Sequence, residues 1–300
     1  MKGKGHGYFR KELLGRGIVT VFGISIMILT LLMTIFLIGK GIVTFTQYKY
    51  SVWEFFTGST WNPPISATGP KGHVGSLVFI VGSISVSLFA VLLATPFALA
   101  CAIFMAEISP RLGQRFLQPA IEIFVGIPSV VYGWVGYTLL CPVIAKVFRI
   151  PTGGEGLLAA GIVLALMIFP TVTTVSTDAI RSLPQEHKEA SYALGSTRWQ
   201  MIRKVRLPAA SSGIFTGVVL GIARAFGEAL AVSMVIGMDM NFPKSLLSRT
   251  MTLTNVIATS MGTASENSAW TASLWSMALL LFAISFVFIV IIRLIGRKKG

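Results

Sequence analysis

The sequence has few charged residues and few of the residue types that build catalytic or metal sites. Only 12% of its 300 residues are charged and 54% are hydrophobic, whereas soluble domains are about 25% charged. The three histidines, His6, His73 and His187, lie far apart, and both cysteines, Cys101 and Cys141, lie in apolar runs. The histidines and cysteines therefore form neither a zinc motif nor a disulfide framework, and we expect no metal site. The low share of charged residues and the high share of hydrophobic residues indicate a membrane protein.

Motifs that would supply chemistry are also absent. The sequence contains no G-x-x-x-x-G-K-[ST] loop, whose backbone N–H groups would hold nucleotide phosphates. It contains no G-x-S-x-G motif for a serine nucleophile. We therefore expect no catalytic residues and no intrinsic hydrolysis, and energy for any active process must come from another polypeptide.

Long hydrophobic runs are the dominant feature of the sequence. A helix needs about 20 apolar residues to cross a bilayer, and the first run is too long for a signal-peptide core and lacks a cleavage site. We therefore predict an all-α integral membrane fold of six spans, with the first helix retained. The predicted spans are residues 18–38, 74–105, 117–142, 157–178, 213–236 and 270–292.

The basic residues, which give a net charge of +14, indicate an orientation. Segments 1–16, 107–115, 179–212 and 293–300 hold 17 of the 25 Lys and Arg residues, whereas segments 40–73, 143–156 and 237–269 hold seven. Because basic residues are enriched in cytoplasmic loops, we predict that both termini are cytoplasmic. This distribution explains the positive charge without a nucleic-acid partner.

The longest charged interruption between apolar runs is residues 182–208, which we predict to form two short helices. Capping-box patterns begin at Ser182 and Thr197. Gly195, between the two helices, is suited to the left-handed conformation that ends a helix, and Pro208 limits the second helix. A compact helical hairpin of this kind is typical of a contact with a partner in the adjacent water.

This loop resembles the EAA loop of ABC importer permeases, whose pattern is Glu-Ala-Ala, three residues, Gly, nine residues and Ile-x-Leu-Pro. Ser191 replaces the second Ala, and Val205 replaces Ile. The resemblance implies a coupling helix that docks into a groove of a cytoplasmic ATPase; an ordinary charged loop is the alternative. The matching residues are Glu189, Ala190, Ser191, Gly195, Val205, Leu207 and Pro208.

Four other segments resemble phosphate permeases, in particular the PstC-type subunit of phosphate ABC importers. One departure is Ala229-Leu230, where the family usually has Thr-Met. The resemblance implies a six-helix bundle of the type I importer, MetI-like class. The matching segments are Trp61-Asn62-Pro63, GIPSVVYG at 126–133, GEGLLAAGIVLALMIFP at 154–170 and RAFGEALAV at 224–232.

The resemblance also implies an organisation and a set of partners. Residues 1–73 would form the N-terminal segment, first helix and outer loop, residues 74–292 the permease domain, and residues 293–300 a basic cytoplasmic tail. The implied partners are a second homologous permease, two ATPase subunits and an extracytoplasmic phosphate-binding protein. ATP and magnesium would bind to the ATPase subunits, so we expect no cofactor on this chain. The implied location is the bacterial or archaeal cytoplasmic (inner) membrane.

Aromatic residues are concentrated in the first outer loop, where two roles remain open. Amphipathic rings partition to lipid headgroups, so this group could anchor the loop to the membrane, or it could dock a partner. The residues are Trp53, Phe55, Phe56 and Trp61.

Prolines at positions 96, 128 and 170 are expected to interrupt spans, and such breaks are tolerated where the backbone is buried or lines a cavity. Hydroxyl residues follow two of them: Ser129 comes after Pro128, and Thr171 and Thr174 come after Pro170. These hydroxyls could contact an oxyanion, or they could satisfy backbone groups that the prolines leave unpaired.

The fifth predicted span carries two ionisable residues and three glycines on one helical face. At 100° per residue these five residues fall within an arc of about 80°. Glycines at a spacing of four allow close helix packing, and a charge inside a membrane is expensive and typically functional. A structural Arg–Glu salt bridge is the alternative. The residues are Gly213, Gly217, Gly221, Arg224 and Glu228.

Together these features predict a permease subunit of an ATP-driven importer of inorganic phosphate. Arg224 would lower the barrier for a partly desolvated anion. An importer of another oxyanion, such as sulfate or molybdate, and an ATP-independent channel or carrier are the alternatives. An intramembrane enzyme is disfavoured because the sequence lacks a catalytic constellation.

Overall fold

The computed structural model describes residues 5–64, 72–151 and 153–297, which are mostly helical. Residues 1–4 and 298–300, which belong to the predicted basic ends, lie outside the described residues. The helices are α1 (Gly5–Thr46), α2 (Val52–Thr57), α3 (Leu77–Ile103), α4 (Pro110–Leu112), α5 (Gln118–Gly126), α6 (Ser129–Val135), α7 (Cys141–Phe148), α8 (Leu157–Arg181), α9 (Glu186–Ala193), α10 (Arg198–Met201), α11 (Leu207–Ala209), α12 (Ser211–Gly227), α13 (Leu230–Val235), α14 (Leu253–Ser260) and α15 (Ala269–Arg297).

Short π-helical turns join several of these helices. They are Phe104–Ile108 after α3, Gly113–Leu117 after α4, Gly136–Leu140 between α6 and α7, and Ile202–Arg206 between α10 and α11. Strands β1 (Trp61–Asn62) and β2 (His73–Val74) pair antiparallel in the loop between α2 and α3.

The predicted all-α membrane fold is confirmed. Five described segments are long and apolar enough to cross a membrane, and a sixth is obtained if the pair Arg198–Ala209 and Ser211–Gly227, bent by 67°, counts as one span. The five segments are Gly15–Thr46, Leu77–Ile108, Ser129–Phe148, Leu157–Arg181 and Ala269–Val290.

The third span differs from the prediction of one helix over residues 117–142. Helix α5 ends at Gly126, and Ile127 is extended, with φ −71° and ψ 127°. Proline disfavours the helical conformation in the residue before it, so the chain breaks at Pro128. The segment of spanning length begins at Ser129 and continues to Phe148.

The fifth span also breaks, although residues 213–236 were predicted as one helix. Helix α12 ends at Gly227, because Glu228 is extended, with φ −79° and ψ 122°. The chain resumes as α13 at Leu230. By contrast, Pro96 and Pro170 lie inside the continuous helices α3 and α8, so the prediction that they interrupt their spans is wrong.

Helix α8 forms the centre of the bundle, where it packs against α3 and α12. Its core contacts include Leu164 and Ile168, which cluster with Val86 and Ala90 of α3. Helix α1 is peripheral, since residues 15–33 are all exposed, and its later turns contact α15. The candidate site described below lies where α12 packs against the central helix α8.

The aromatic residues of the segment between α1 and α3 lie in different environments. Phe55 is buried and meets Phe45 edge-to-face, with ring centroids 5.4 Å apart. Trp61 packs edge-to-face on Phe79. Because Phe55 is buried, it cannot anchor the loop at the lipid headgroups. Trp53, by contrast, is 77% exposed, so both roles stay open for it.

Candidate functional site

The predicted helical hairpin in the 182–208 loop is present as α9 and α10. Its second capping box is confirmed: Thr197 Oγ1 accepts from the Gln200 N–H, and Gln200 Oε1 accepts from the Thr197 N–H over 2.9 Å. Gly195 has φ +76°, the predicted left-handed conformation. Ser196 Oγ donates to the Ser191 carbonyl over 2.8 Å and fixes the turn.

The first predicted capping box is wrong. Ser182 is the residue after α8, and its hydroxyl donates backward to the Ala179 carbonyl over 3.0 Å. Because this hydroxyl serves the preceding helix, α9 begins later, after Gln185, which makes no side-chain capping bond.

The hairpin presents a mixed surface to water. Glu189 and Ala190 are exposed, and Leu194, beside the turn, is 89% exposed. Trp199 is also exposed. The hairpin contains a depression of about 670 Å³ that includes four of the predicted coupling residues. Its lining is His187, Ala190, Ser191, Leu194, Gly195, Ser196, Gln200, Lys204, Val205 and Ala209.

Of the three predicted coupling residues that do not line the depression, Glu189 is exposed on α9, and the other two lie at the end of the hairpin. Leu207 begins α11 and Pro208 follows it, just before the bend into α12. Leu207 packs against a small buried cluster that includes Met201 and Ile202. These two residues therefore connect the hairpin to the membrane helices and do not line the depression.

The glycine face of α12 lies directly against α8. A Cβ placed at Gly221 would lie 2.8 Å from Val172 Cγ2, and one at Gly217 would lie 3.2 Å from Val175 Cβ. A Cβ at Gly213 would overlap the Cβ of Ala179. Each glycine thus occupies a position at which a larger residue would separate the helices.

Arg224 and Thr171 are brought together at this helix crossing. Arg224 Nη1 donates to Thr171 Oγ1 over 3.1 Å, and both side chains are half-buried. Among the described residues, no carboxylate forms an ion pair with Arg224. The guanidinium charge is therefore held by a neutral partner and keeps its ability to attract an anion.

Glu228 does not pair with Arg224, so the structural salt bridge that was the alternative interpretation of these two residues is not formed. Helix α12 ends at Gly227, before Glu228, and the i,i+4 spacing of a continuous helix therefore does not apply. Glu228 Oε1 instead accepts from the Ala231 N–H over 3.0 Å at the start of α13, and Thr254 Oγ1 donates to the Glu228 carbonyl. Glu228 thus holds the break between two helices.

In the part of the chain that is described, the other predicted pathway hydroxyls form no hydrogen bond with Arg224. Ser129 is the half-buried first residue of α6. Thr174 lines a separate pocket of about 230 Å³ that also contains the carboxylates of Glu122 and Asp178. Two acidic side chains make this pocket less favourable for an anion than the Arg224 region. The neighbouring Thr173 hydroxyl donates to the Phe169 carbonyl and satisfies the backbone.

Sequence reasoning missed a buried ion pair beneath the hairpin. Arg206 Nε donates to Glu107 Oε1 over 2.6 Å, and both side chains are almost fully buried, 4% and 2% exposed. Each residue borders an apolar run and so resembles an ordinary boundary charge. The signal that could have identified the pair is the single acid at the end of the second predicted span.

Comparison with known proteins agrees with this architecture. The model of the family described as "Binding-protein-dependent transport system inner membrane component" matches residues 98–300. The chain is 48% identical over 288 residues to the "Probable ABC transporter permease protein YqgH" of Bacillus subtilis, which covers 96% of this chain and 92% of that protein.

Similarity extends to proteins with a named substrate and to solved structures. The chain is 34% identical over 269 residues to the "Phosphate transport system permease protein PstC" of Xylella fastidiosa, covering 82% of this chain and 81% of the relative. An inward-facing structure of the MetNI methionine ABC transporter aligns with TM-score 0.57 and 19% identity over 74% of this chain and 96% of that chain. That likeness supports the fold alone. The chain therefore belongs to the family of inner membrane components of binding-protein-dependent transport systems and is an ABC importer permease of the type I class.

Proposed function

We propose that this permease carries inorganic phosphate across the cytoplasmic membrane. The Arg224 guanidinium is the observation that carries the proposal: it lies half-buried between α12 and α8 and donates to the Thr171 hydroxyl, and it pairs with no carboxylate of the part of the chain that the structure describes. A cation in this environment offsets part of the cost of removing water from an oxyanion. Relatives that are named phosphate transport permeases support this choice of substrate.

Permeases of this family are transport components that work with ATPase subunits and a substrate-binding protein. For this chain we propose a complex with a second homologous permease, two cytoplasmic ATPase subunits and an extracytoplasmic phosphate-binding protein. ATP and magnesium bind to the ATPase subunits. Both termini and the 182–208 loop face the cytoplasm, in accord with the basic-residue distribution.

In this mechanism the ATPase subunits close on ATP and push the hairpin of α9 and α10. The hairpin is continuous with α8 on one side and, through the bend after Ala209, with α12 on the other. Movement of these helices alters the crossing at which Arg224 meets Thr171. Phosphate released by the binding protein then passes between the two permeases.

Uptake of labelled phosphate in a strain without other phosphate systems tests the proposal. Expression of the complex should give uptake that depends on ATP hydrolysis and resists an excess of sulfate or molybdate. The control is the same complex with its ATPase inactivated. Equal inhibition by sulfate would assign the chain to another oxyanion, and uptake without ATP hydrolysis would contradict the importer itself.

A further inference from the structure

The hairpin is attached to the membrane helices through Glu107, a residue outside the loop. Glu107 lies in the π-helical turn that ends α3, and its carboxylate is 2% exposed. Arg206 Nε donates to one carboxylate oxygen over 2.6 Å, and Lys188 Nζ donates to the other over 3.4 Å. One buried carboxylate therefore contacts both arms of the hairpin, α9 through Lys188 and the segment after α10 through Arg206.

Backbone contacts strengthen the same junction. Arg198 donates to the carbonyls of Glu107 and Ile108. Arg181, at the end of α8, donates to the Met105 carbonyl over 3.0 Å. The π-helical turn after α3 thus accepts hydrogen bonds from the hairpin and from α8 as well as the ion pair.

Arg206 is fixed by nearly all of its donors. Besides Glu107, it donates to the carbonyl of Ile180 at the end of α8 and to those of Leu183 and Pro184 in the loop, over 3.0 to 3.2 Å. A guanidinium with this many partners has one orientation. Glu107 and Arg206 both lie in π-helical turns, a local geometry that is frequent at functional positions.

A buried pair of this kind transmits movement because separating it is expensive. If the hairpin moved without α3, the buried Glu107 carboxylate would lose both of its cationic partners, Arg206 and Lys188. Moving the end of α3 together with the hairpin avoids that cost. By contrast, the chain bends by 67° between α11 and α12, so the connection on that side is not a straight helix.

We propose that Glu107 is a positioning residue that clamps the 182–208 hairpin to α3, so that ATPase-driven movement of the hairpin moves the second span directly. This inference rests on the proposed importer function, because it needs an ATPase to move the loop. It adds α3 to the helices driven by the hairpin and assigns the coupling contact to side chains that lie far apart in the sequence.

The test compares Glu107→Gln with Glu266→Gln in the intact complex. Gln has nearly the same shape as Glu but lacks the charge, and Glu266 is an exposed carboxylate in the 261–267 segment. We expect Glu107→Gln to assemble normally but to raise the ATP hydrolysed per phosphate imported by about tenfold, a typical size for coupling between sites. Glu266→Gln should leave the ratio unchanged. Loss of transport, ATP hydrolysis and complex yield in equal proportion would overturn the proposal, because a purely structural role predicts it.

A distance measurement separates this inference from the identity of the substrate. Spin labels at Phe97→Cys on α3 and Arg203→Cys on the hairpin, both exposed positions, would be placed in a background in which Cys101 and Cys141 are alanine. With wild-type Glu107, we expect the distance between the two labels to be the same in the presence and in the absence of a non-hydrolysable ATP analogue. With Glu107→Gln, the distance should change between these states. A nucleotide-dependent change that is equally large with Glu107 present would overturn the clamp, even if phosphate proves not to be the substrate.

Lys188→Gln supplies a second, milder variant of the same contact. Lys188 is a third exposed and its Nζ lies 3.4 Å from Glu107, so its loss leaves the Arg206 pair in place. We expect a smaller shift in the same direction in both measurements. An unchanged ratio together with an unchanged label distance would contradict the proposal.

Discussion

Arg224 of α12 donates a hydrogen bond to Thr171 of α8 over 3.1 Å, at the crossing that Gly217 and Gly221 keep close. The cation therefore sits against a neutral hydroxyl in the centre of the bundle. Glu228, four residues later, is turned away to cap α13. The two residues therefore have different roles: Arg224 supplies charge at the helix crossing, whereas Glu228 holds the break between α12 and α13.

We expect Arg224→Gln to lower phosphate uptake at least about tenfold, because hydrogen bonds to charged groups contribute about 1.5–3 kcal/mol. Arg224→Lys should retain part of the activity, since a point charge still attracts phosphate. The Arg224→Glu/Glu228→Arg exchange should not restore uptake, because the two side chains do not pair. Initial uptake rates are the measurement and complex yield is the control; full activity of the exchanged variant would show that the pair is only structural.

The glycine face predicts a steric effect with a matched control. Gly213→Ala would press a methyl group onto Ala179, and overpacking of this kind costs about 1–3 kcal/mol. Gly227→Ala, at the end of the same helix, meets no atom within 4 Å. Thermal unfolding of the purified complex should show a lower midpoint for the first variant only. Equal midpoints would mean that α12 and α8 pack less closely than described.

The hairpin turn predicts a difference between two substitutions of Gly195. Its φ of +76° is strained for a β-branched residue, by about 1–3 kcal/mol, whereas Asn adopts this region readily. No atom lies within 4 Å, so added volume is not the cause of any effect. We expect Gly195→Val to insert in the membrane but to retain less ATPase on purification, and Gly195→Asn to retain it. Equal retention by the two variants would argue against docking through this turn.

A charge reversal on the hairpin gives a second test of docking. Glu189 is exposed in the first turn of α9, a helix that also carries Glu186 there. We expect Glu189→Lys to leave membrane insertion and assembly of the two permeases intact but to uncouple transport from ATP hydrolysis. Normal uptake by this variant would remove Glu189 from the coupling surface.

Orientation follows from cysteine labelling in a background in which Cys101 and Cys141 are replaced. Thr60→Cys and Ser265→Cys, both at exposed positions, should react with an impermeant thiol reagent added outside intact cells. Leu194→Cys, 89% exposed on the hairpin, should react only after the cells are opened. Labelling of Leu194→Cys from outside would reverse the proposed topology.

Local features of the sequence predicted local structure well. The Thr197 capping box and the left-handed Gly195 depend on residues within one turn, and both are present. The helical type of the spans, and five of the six predicted spans, follow from apolar runs of the length that a bilayer requires. Pro128 indicated that the third span is interrupted. Where the helices on either side of this break begin and end depends on packing between helices, which the sequence alone does not give.

Features that depend on distant contacts could not be predicted. Glu107 and Arg206 are 99 positions apart. The single acid at the end of the second predicted span draws attention to Glu107, but nothing in the sequence says which residue pairs with it. The end of α12 at Gly227 was missed because the apolar run continues to Ile236 without proline. Contacts to α13 and α14, formed by the side chain and backbone of Glu228, hold this break.

Reconstitution of the purified complex in liposomes is a direct test of ATP-driven phosphate import and of the role of Arg224 in it. Labelled phosphate would be followed across the bilayer, with ATP supplied on the ATPase side and the binding protein on the opposite side. We expect phosphate to accumulate against its gradient only when both are present, and Arg224→Gln to abolish accumulation while the complex still binds ATP. Phosphate that equilibrates without ATP, or accumulation that is undiminished in Arg224→Gln, would be incompatible with ATP-driven import through Arg224.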